Sequence, residues 1–354
     1  MTAATSITLN DVKRARSAIR EYINLSPCVL SPGLSAQSNC SFHLKMENLQ
    51  RTGAYKDRGA MNAVLGLDDA HKKAGVVAAS AGNHAQGLAF AAERNGIHAT
   101  IVMPETAPTS KRLGTERYGA EVVLHGNGYD DAFKRATELQ AEKSYTFVHA
   151  FDDPRVIAGQ GTVGLELLEQ NPDLEVFVVP IGGGELAAGM AIALKEVNPK
   201  ARIVGVQAEN IASMKASIEA GKIVTVSGTT IADGIAVVRP GEHTFPIVHN
   251  MSTRSSPSPR RRSPTPFWCC QDRRLAKISV SVPDRPASIV DLATIAASQQ
   301  ANILDIHHGR TFTLASFRET EVELTVETRG PEAVETLLQT IAVKGYQVQS
   351  FVFD

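Results

Sequence analysis

Cysteine is scarce in this chain. Its four copies, Cys28, Cys40, Cys269 and Cys270, form no C-x-x-C pair, and the adjacent Cys269 and Cys270 lack metal-ligand spacing. A disulfide-stapled scaffold and a zinc site are therefore not expected; a reducing, cytoplasmic environment is. An excess of either charge is also missing, since 36 basic against 37 acidic residues leave a formal net charge of −1. Such balance supplies no field for nucleic acid or an acidic membrane surface. No apolar run nears the roughly 20 residues that span a bilayer. The opening Met1-Thr2-Ala3-Ala4-Thr5-Ser6 has neither a basic segment nor an apolar core, so secretion is not expected.

What is present suits a globular chain of two or three domains: 354 residues, 43% of them hydrophobic. Asn10 reads as the cap of a first helix with apolar positions Val12, Ala15, Ala18, Ile19 and Ile23. From about residue 41 to 220, apolar runs at 42–46, 75–79, 97–103, 120–124, 145–149, 174–181 and 202–207 alternate with helical patterns. Those patterns fall at 84–94, 109–117, 129–142, 156–170 and 186–197. This rhythm predicts parallel sheets wrapped by helices, with sites where loops leave the carboxyl ends of strands.

Residues 249–274 break the rhythm. The stretch from Ser252 to Pro266 is rich in serine, proline and arginine and cannot bury enough apolar surface to order itself. It runs into Phe267-Trp268-Cys269-Cys270, an abrupt change that reads as an out-of-frame segment followed by a return to frame, or as a sequencing artefact. From Leu275 the pattern is strand 275–282, helix 287–299, strands 302–308 and 320–328, helix 331–343 and strand 346–353, the βαββαβ order of a ferredoxin-like plait.

Three motifs can carry chemistry. Lys56 lies in Thr52-Gly53-Ala54-Tyr55-Lys56-Asp57-Arg58-Gly59-Ala60, where a helical pattern begins. The positive helix end and Arg58 both disfavour an ammonium there, and a free amine is the nucleophile that carbonyl chemistry needs. Ser80-Ala81-Gly82-Asn83-His84-Ala85-Gln86-Gly87 follows a strand and opens a helix whose free N–H groups suit a carboxylate. The plainer reading is an ordinary capping turn, His84 included. Gly182-Gly183-Gly184-Glu185-Leu186 also joins a strand to a helix, and consecutive glycines let N–H groups converge on a phosphate. A rival reading takes Gly182, Gly184 and Ala187 as a dinucleotide fingerprint with Glu209 as its ribose acid, which leaves Lys56 without a role. Glu209 and Asp233 are too weak a pair to assign a metal.

Taken in this order, the motifs resemble the serine/threonine dehydratases, among them the threonine ammonia-lyases. These are pyridoxal-phosphate enzymes of the tryptophan-synthase-β-like class (fold type II). The resemblance spans residues 1 to about 248 and rests on 52–60, 80–87, 180–189 and 231–240. It implies two doubly wound parallel-sheet domains, a small one at about 50–150 inserted in a large one. It further implies that Lys56 holds the pyridoxal 5'-phosphate and then takes the Cα proton, with Tyr55 beside the cofactor. Asn83 would bond the pyridine 3'-oxygen, and Ser80, Ala81, Gly82 and His84 the substrate carboxylate. Gly182, Gly183, Gly184 and Leu186 would offer N–H groups to the phosphate. The implied reaction converts L-threonine to 2-oxobutanoate and ammonia, and L-serine to pyruvate. The tail from 275 to 354 resembles the ACT regulatory domains, on Val282-Pro283-Asp284-Arg285-Pro286 and Asn302-Ile303. That implies an amino-acid effector near Asp284, Arg285 and Asn302 and a homo-oligomer, although Ala287 replaces the usual glycine.

The chain departs from the family twice. Glu185 stands where a fourth glycine is usual, a position expected to need glycine's backbone freedom and to repel a phosphate unless the carboxylate points into solvent. Beyond Val248, family members continue through further helices and strands. These include a Ser-Gly-Gly-Asn loop whose serine bonds the pyridine nitrogen, and no such run exists here. A truncated, poorly stable lyase is the expectation. The alternative is an inactive remnant that binds a regulatory amino acid or partner subunit through its tail.

Overall fold

The computed structural model describes residues 7–228, 230, 232–253, 274–283, 287–299, 301–309, 319–328 and 331–352. The chain divides into two units at residue 258. Among the described residues no helix is long and apolar enough to cross a membrane.

The first unit opens with helix α1 (Leu9–Ile19), which buries Val12, Ala15 and Ile19. Its cap is Thr8 rather than Asn10: Thr8 and Asp11 exchange side-chain and backbone hydrogen bonds as a capping box. Strand β1 (Cys28–Leu30), helix α2 (Pro32–Ser38) and strand β2 (His43–Lys45) form an antiparallel pair bridged by a short helix. A strand of three residues is too short to show a period, so β1 carries no periodic signal, whereas α2 opens on the Ser31 cap and Pro32 that mark a helix start.

Helices α3 (Lys56–Leu65) and α4 (Asp69–Ala74) lead into a four-stranded sheet. Its elements alternate as β3 (Val76–Ala79), α5 (Asn83–Arg94), β4 (Ala99–Met103), α6 (Thr109–Glu116), β5 (Glu121–Leu124), α7 (Tyr129–Lys143) and β6 (Thr146–Phe147). The strand order is β5-β4-β3-β6, parallel throughout. Every residue of β3 and β4 is buried, as expected for central parallel strands covered on both faces. Five of the expected strand–helix alternations in this region and the next fall within a few residues of the elements observed.

Helix α8 (Pro154–Gln170) then carries the chain to β7 (Val176–Pro180), α9 (Glu185–Val197), β8 (Arg202–Val206), α10 (Ser213–Ala220) and α11 (Thr244–Thr253). Helix α11 runs five residues past the boundary expected at 248, while 254–273 lie outside the described residues. Strands β7 and β8 pair in parallel and, among the described residues, with each other alone. Phe177 and Val179 face the core, whereas Val176, Val178 and Val204 are exposed at 43, 51 and 41%. An apolar face left open on a parallel sheet is unusual, because such sheets are normally covered on both sides.

Three helices meet backbone to backbone. A Cβ on Gly159 of α8 would sit 2.6 Å from the Cα of Gly59 on α3 and 2.7 Å from the Arg58 carbonyl oxygen. A Cβ on Gly189 of α9 would overlap the Ile157 carbonyl oxygen and the Gly161 nitrogen of α8. Small residues thus let α8 clamp the starts of α3 and α9 close together.

The second unit comprises β9 (Arg274–Pro283), α12 (Ala287–Ser298), β10 (Asn302–Gly309), β11 (Glu319–Thr328), α13 (Pro331–Val343) and β12 (Gln347–Val352). The antiparallel order β10-β11-β9-β12 is the topology of a ferredoxin-like plait. Alternate residues Ala276, Ile278, Val280 and Val282 of β9 pack with Val322, Leu324 and Val326 of β11 under Leu292, Leu337 and Ile341 of the helices.

Gly159→Ala is expected to lower the unfolding free energy by about 1–3 kcal/mol through this overpacking. Gly33→Ala, with open space around it, should stay within about 1 kcal/mol of the parent. Urea unfolding of the two variants checks the difference.

Candidate active site

Three loops at the carboxyl ends of strands converge on the start of α3: residues 80–83 after β3, 148–153 after β6 and 181–184 after β7. Lys56, the first residue of α3, sends its amine to the Ala150 carbonyl oxygen at 2.9 Å and to Glu185 Oε1 at 2.5 Å. The Tyr55 hydroxyl donates to the same Oε1 at 2.9 Å. The amine is therefore brought against the residue that directly follows Gly182–Gly184, across 129 residues of sequence. Gly184 has φ +105°, so the left-handed turn falls on a glycine, and Glu185 itself takes ordinary helical angles as the first residue of α9. The backbone freedom expected to be needed at 185 is needed one residue earlier. A Cβ at Gly183 would collide with the Phe151 ring.

The glycine loop is fixed from behind. The buried Thr244 hydroxyl donates to the Gly183 carbonyl oxygen at 2.6 Å, and the Gly241 N–H reaches the same oxygen at 3.3 Å. Asp152 accepts from the N–H groups of Glu242 and His243 at 2.8 and 2.7 Å. The first helical bond of α9 runs from Ala188 to Gly184, so the N–H groups of Glu185, Leu186 and Ala187 have no partner within the helix.

Electrostatics around Lys56 differ from those expected. Arg58 is fully buried and its charge is committed: it binds Glu47 at 2.8 Å through two nitrogens, Glu166 at 2.6 and 2.8 Å, and Thr162 at 3.1 Å. Lys45 joins Glu166 at 2.6 Å. Burial alone would raise the Glu47 carboxyl, but Arg58 holds it below the ordinary range. The charge facing Lys56 is instead the Glu185 carboxylate. Burial opposes that charge, yet Lys56 and the Tyr55 hydroxyl keep Glu185 below the ordinary carboxylate range. Burial and Glu185 together push the Tyr55 phenol well above its usual value. The condition that would spare a phosphate, a Glu185 carboxylate turned into solvent, is not met: the residue is 3% exposed and its carboxylate points inward to Lys56 and Tyr55.

Helix α5 starts at Asn83 after Gly82, with Ser80 Oγ accepting from the Gly82 N–H at 3.2 Å. Ser80, Ala81, Gly82 and Asn83 are half-buried, and no side chain caps the helix start. His84 is 2% exposed, and its Nε2 lies 3.0 Å from the Val148 carbonyl oxygen, so Nε2 is the donor. Burial first, then the charge of Lys56, holds its ring down to about 4. A neutral ring with Nε2 protonated leaves Nδ1 an acceptor, and Nδ1 has no partner. Only the backbone N–H of His84 is suited to a carboxylate.

The structure brings Lys56, Tyr55 and Gly182–Leu186 together, and places the 80–84 turn beside α3: a Cβ at Gly87 would meet the Lys56 carbonyl at 3.2 Å. Glu209 opens a short turn after β8, and Asp233 is 84% exposed and 3.9 Å from Lys111. Among the described residues no cluster suits a metal ion. In the second unit Asn302 begins β10 opposite Glu327, while Asp284 and Arg285 lie outside the described residues. Phe151, Asp152 and Thr244 belong to the site without any motif to announce them.

Comparison with known proteins agrees with this arrangement. Residues 19–256 match the family model of pyridoxal-phosphate dependent enzymes. The L-threonine ammonia-lyase of Thermotoga maritima is 37% identical over 397 aligned positions, covering 97% of this chain and 99% of its own. A catabolic L-threonine dehydratase of Escherichia coli is 44% identical over 246 residues, 69% of this chain and 75% of its own. Maize serine racemase superimposes with a TM-score of 0.68 at 36% identity, covering 69% of this chain and 74% of its own.

The chain belongs to the pyridoxal-phosphate-dependent enzymes of fold type II. Within that class its relatives are threonine ammonia-lyases, and with them the chain is a lyase. This membership removes the dinucleotide reading of Gly182, Gly184, Ala187 and Glu209. The alignment of 397 positions is longer than the 354 residues of this chain, so the Thermotoga relative holds residues that have no counterpart here.

The residues present fit the family's cofactor in the main. A half-buried primary amine faces a glycine loop whose Cβ space is already filled, beside a helix start with N–H groups to spare. One member opposes it: two unit charges about 5 Å apart repel by roughly 3 kcal/mol at an effective dielectric near 20, so an inward Glu185 disfavours a phosphate.

Two outcomes are expected. Arg58→Met should cost about 3–5 kcal/mol in urea unfolding, because Glu47 and Glu166 lose their shared partner inside the protein. For His84 the folded ring sits near 4 against an ordinary 6.5, so the unfolded chain binds the proton more readily. Its contribution is complete above about pH 6.5 and declines toward pH 4, by up to about 1.4 kcal/mol per unit. His84→Gln keeps a donor for Val148 and should flatten the stability–pH curve in that window.

Proposed function

We propose that this chain deaminates L-threonine to 2-oxobutanoate and ammonia, with L-serine giving pyruvate as a second reaction. The observation that carries the reading is the meeting of the Lys56 amine with the first residue after the glycine loop. In this reading Lys56 binds pyridoxal 5'-phosphate and afterwards accepts the proton from the substrate Cα. When bound, the cofactor supplies an electron sink for the Cα electrons. Tyr55 flanks Lys56 and limits the positions its side chain can take. Asn83 serves the ring's 3'-oxygen. The N–H groups of Gly182, Gly183, Gly184 and Leu186 hold the phosphate tail, which the partnerless N–H of Leu186 supports. Ser80 and the backbone of Ala81, Gly82 and His84 orient the substrate carboxylate, and the positive end of α5 favours that charge.

The second unit, in the same reading, is an ACT-like regulatory domain for an amino-acid effector, with Asp284, Arg285 and Asn302 as its contacts. Its plait topology supports this, and such plaits suit pairing into a homo-oligomer. We place the protein in the cytoplasm on its sparse cysteines, of which Cys28 and Cys40 are free among the described residues. A second reading has a specific observation behind it. The bare valines of β7 and β8, and the length of the Thermotoga alignment, favour a chain that has lost part of its large domain. Such a chain would bind an effector or a partner subunit without turnover. Calorimetry with isoleucine beside an assay for 2-oxobutanoate separates the two, since binding without product favours the second.

Pyridoxal phosphate added to the purified protein should give an absorbance band that hydride reduction bleaches, leaving the label on the Lys56 peptide in mass spectra. Lys56→Ala should lose the label and lower 2-oxobutanoate formation about a hundredfold or more. A label on another lysine, or none on a folded and saturated sample, overturns the assignment.

A further inference from the structure

We propose that Glu185 is an internal competitor for the cofactor, holding the Lys56 amine and part of the anion site at once, so that the cofactor enters only by displacing it. The proposal rests on the reading of Lys56 and the glycine loop given above. One contact and one position carry it. At the amine, Oε1 of Glu185 lies 2.5 Å from Lys56 Nζ and also takes the Tyr55 hydroxyl at 2.9 Å, with the carboxylate 3% exposed. At the other end, Glu185 is the first residue of α9, which places its negative charge beside the three N–H groups that the helix leaves without a helical partner. An aldehyde with an anionic tail needs the amine for the first and the N–H groups for the second.

Both act in one direction. The carboxylate must leave the amine before an aldehyde carbon can approach the nitrogen. The neutral amine then bonds to that carbon through its lone pair, and its two N–H protons leave with the carbonyl oxygen as water. Negative charge at the first turn of α9 also cancels part of the attraction that a helix start offers to a phosphate. Glycine at 185 would remove both effects without disturbing the turn, since the left-handed angle belongs to Gly184.

The test uses the full chain as wild type, Glu185→Gln and Glu185→Gly. Each is titrated with pyridoxal phosphate and with pyridoxal, followed by absorbance and by mass spectrometry of the reduced Lys56 peptide. Both variants should take up pyridoxal phosphate faster and about tenfold or more tightly, with a smaller gain for pyridoxal, which lacks the second negative group. As a measurement free of the cofactor, reductive methylation of Lys56 by formaldehyde should be faster in Glu185→Gln than in wild type. Labelling of Lys56 with equal affinity and rate in all three proteins overturns the role of Glu185 and leaves the cofactor assignment standing. Absence of label on Lys56 in all three overturns the assignment and the role together.

Discussion

All five N–H donors of Arg58 are engaged inside the first unit, on two carboxylates and a threonine hydroxyl, with no solvent contact for the side chain. Its partners come from the turn before α3 and from the middle of α8, so one guanidinium ties together segments more than a hundred residues apart. Burying such a set is not in itself a gain in stability, because desolvation offsets much of the attraction. What it does is forbid alternatives, since any shift of α3 along α8 strands a charge in the interior. Lys56 sits two residues earlier on the same helix. Its position is inherited from that lock.

The glycine seam between α3, α8 and α9 acts alongside it. Where side chains would separate helices by the usual 8–10 Å, backbone contact at Gly59, Gly159, Gly161 and Gly189 draws the two helix starts together. An amine at the head of one helix and a glycine loop at the head of another become neighbours through packing, not through loop flexibility. The loop is then braced by Thr244 and Asp152 from α11 and the 148–153 turn. The site thus depends on residues at both ends of the unit.

Much of this was legible in the sequence, for reasons that can be stated. Parallel strands flanked by helices leave apolar runs of four to five residues, and β3, β4 and β7 stood out accordingly. Consecutive glycines after β7 announced a backbone nest because few other uses require three in a row. Direction and distance were not legible. Nothing local distinguishes an inward Glu185 from an outward one, or reveals that Arg58 spends its charge on Glu47 and Glu166 and leaves Lys56 facing a carboxylate. Thr8 displaced Asn10 as cap because Asp11 could close the reciprocal box. Pro246, one turn into α11, masked a helix whose first residue braces the glycine loop; proline is tolerated there because the first turn has no hydrogen-bond duty for its nitrogen.

The two-stranded sheet of β7 and β8 has a consequence beyond the site it supports. Each strand keeps an outer edge whose amides and carbonyls have no sheet partner among the described residues, and the adjoining face carries valines open to water. Extended segments from any source find there both the hydrogen-bond ladder and the greasy bed that strand addition requires. Strand addition at such an edge is second order, so its rate rises with the concentration of those segments, whereas the opening of the molecule's own core is independent of them.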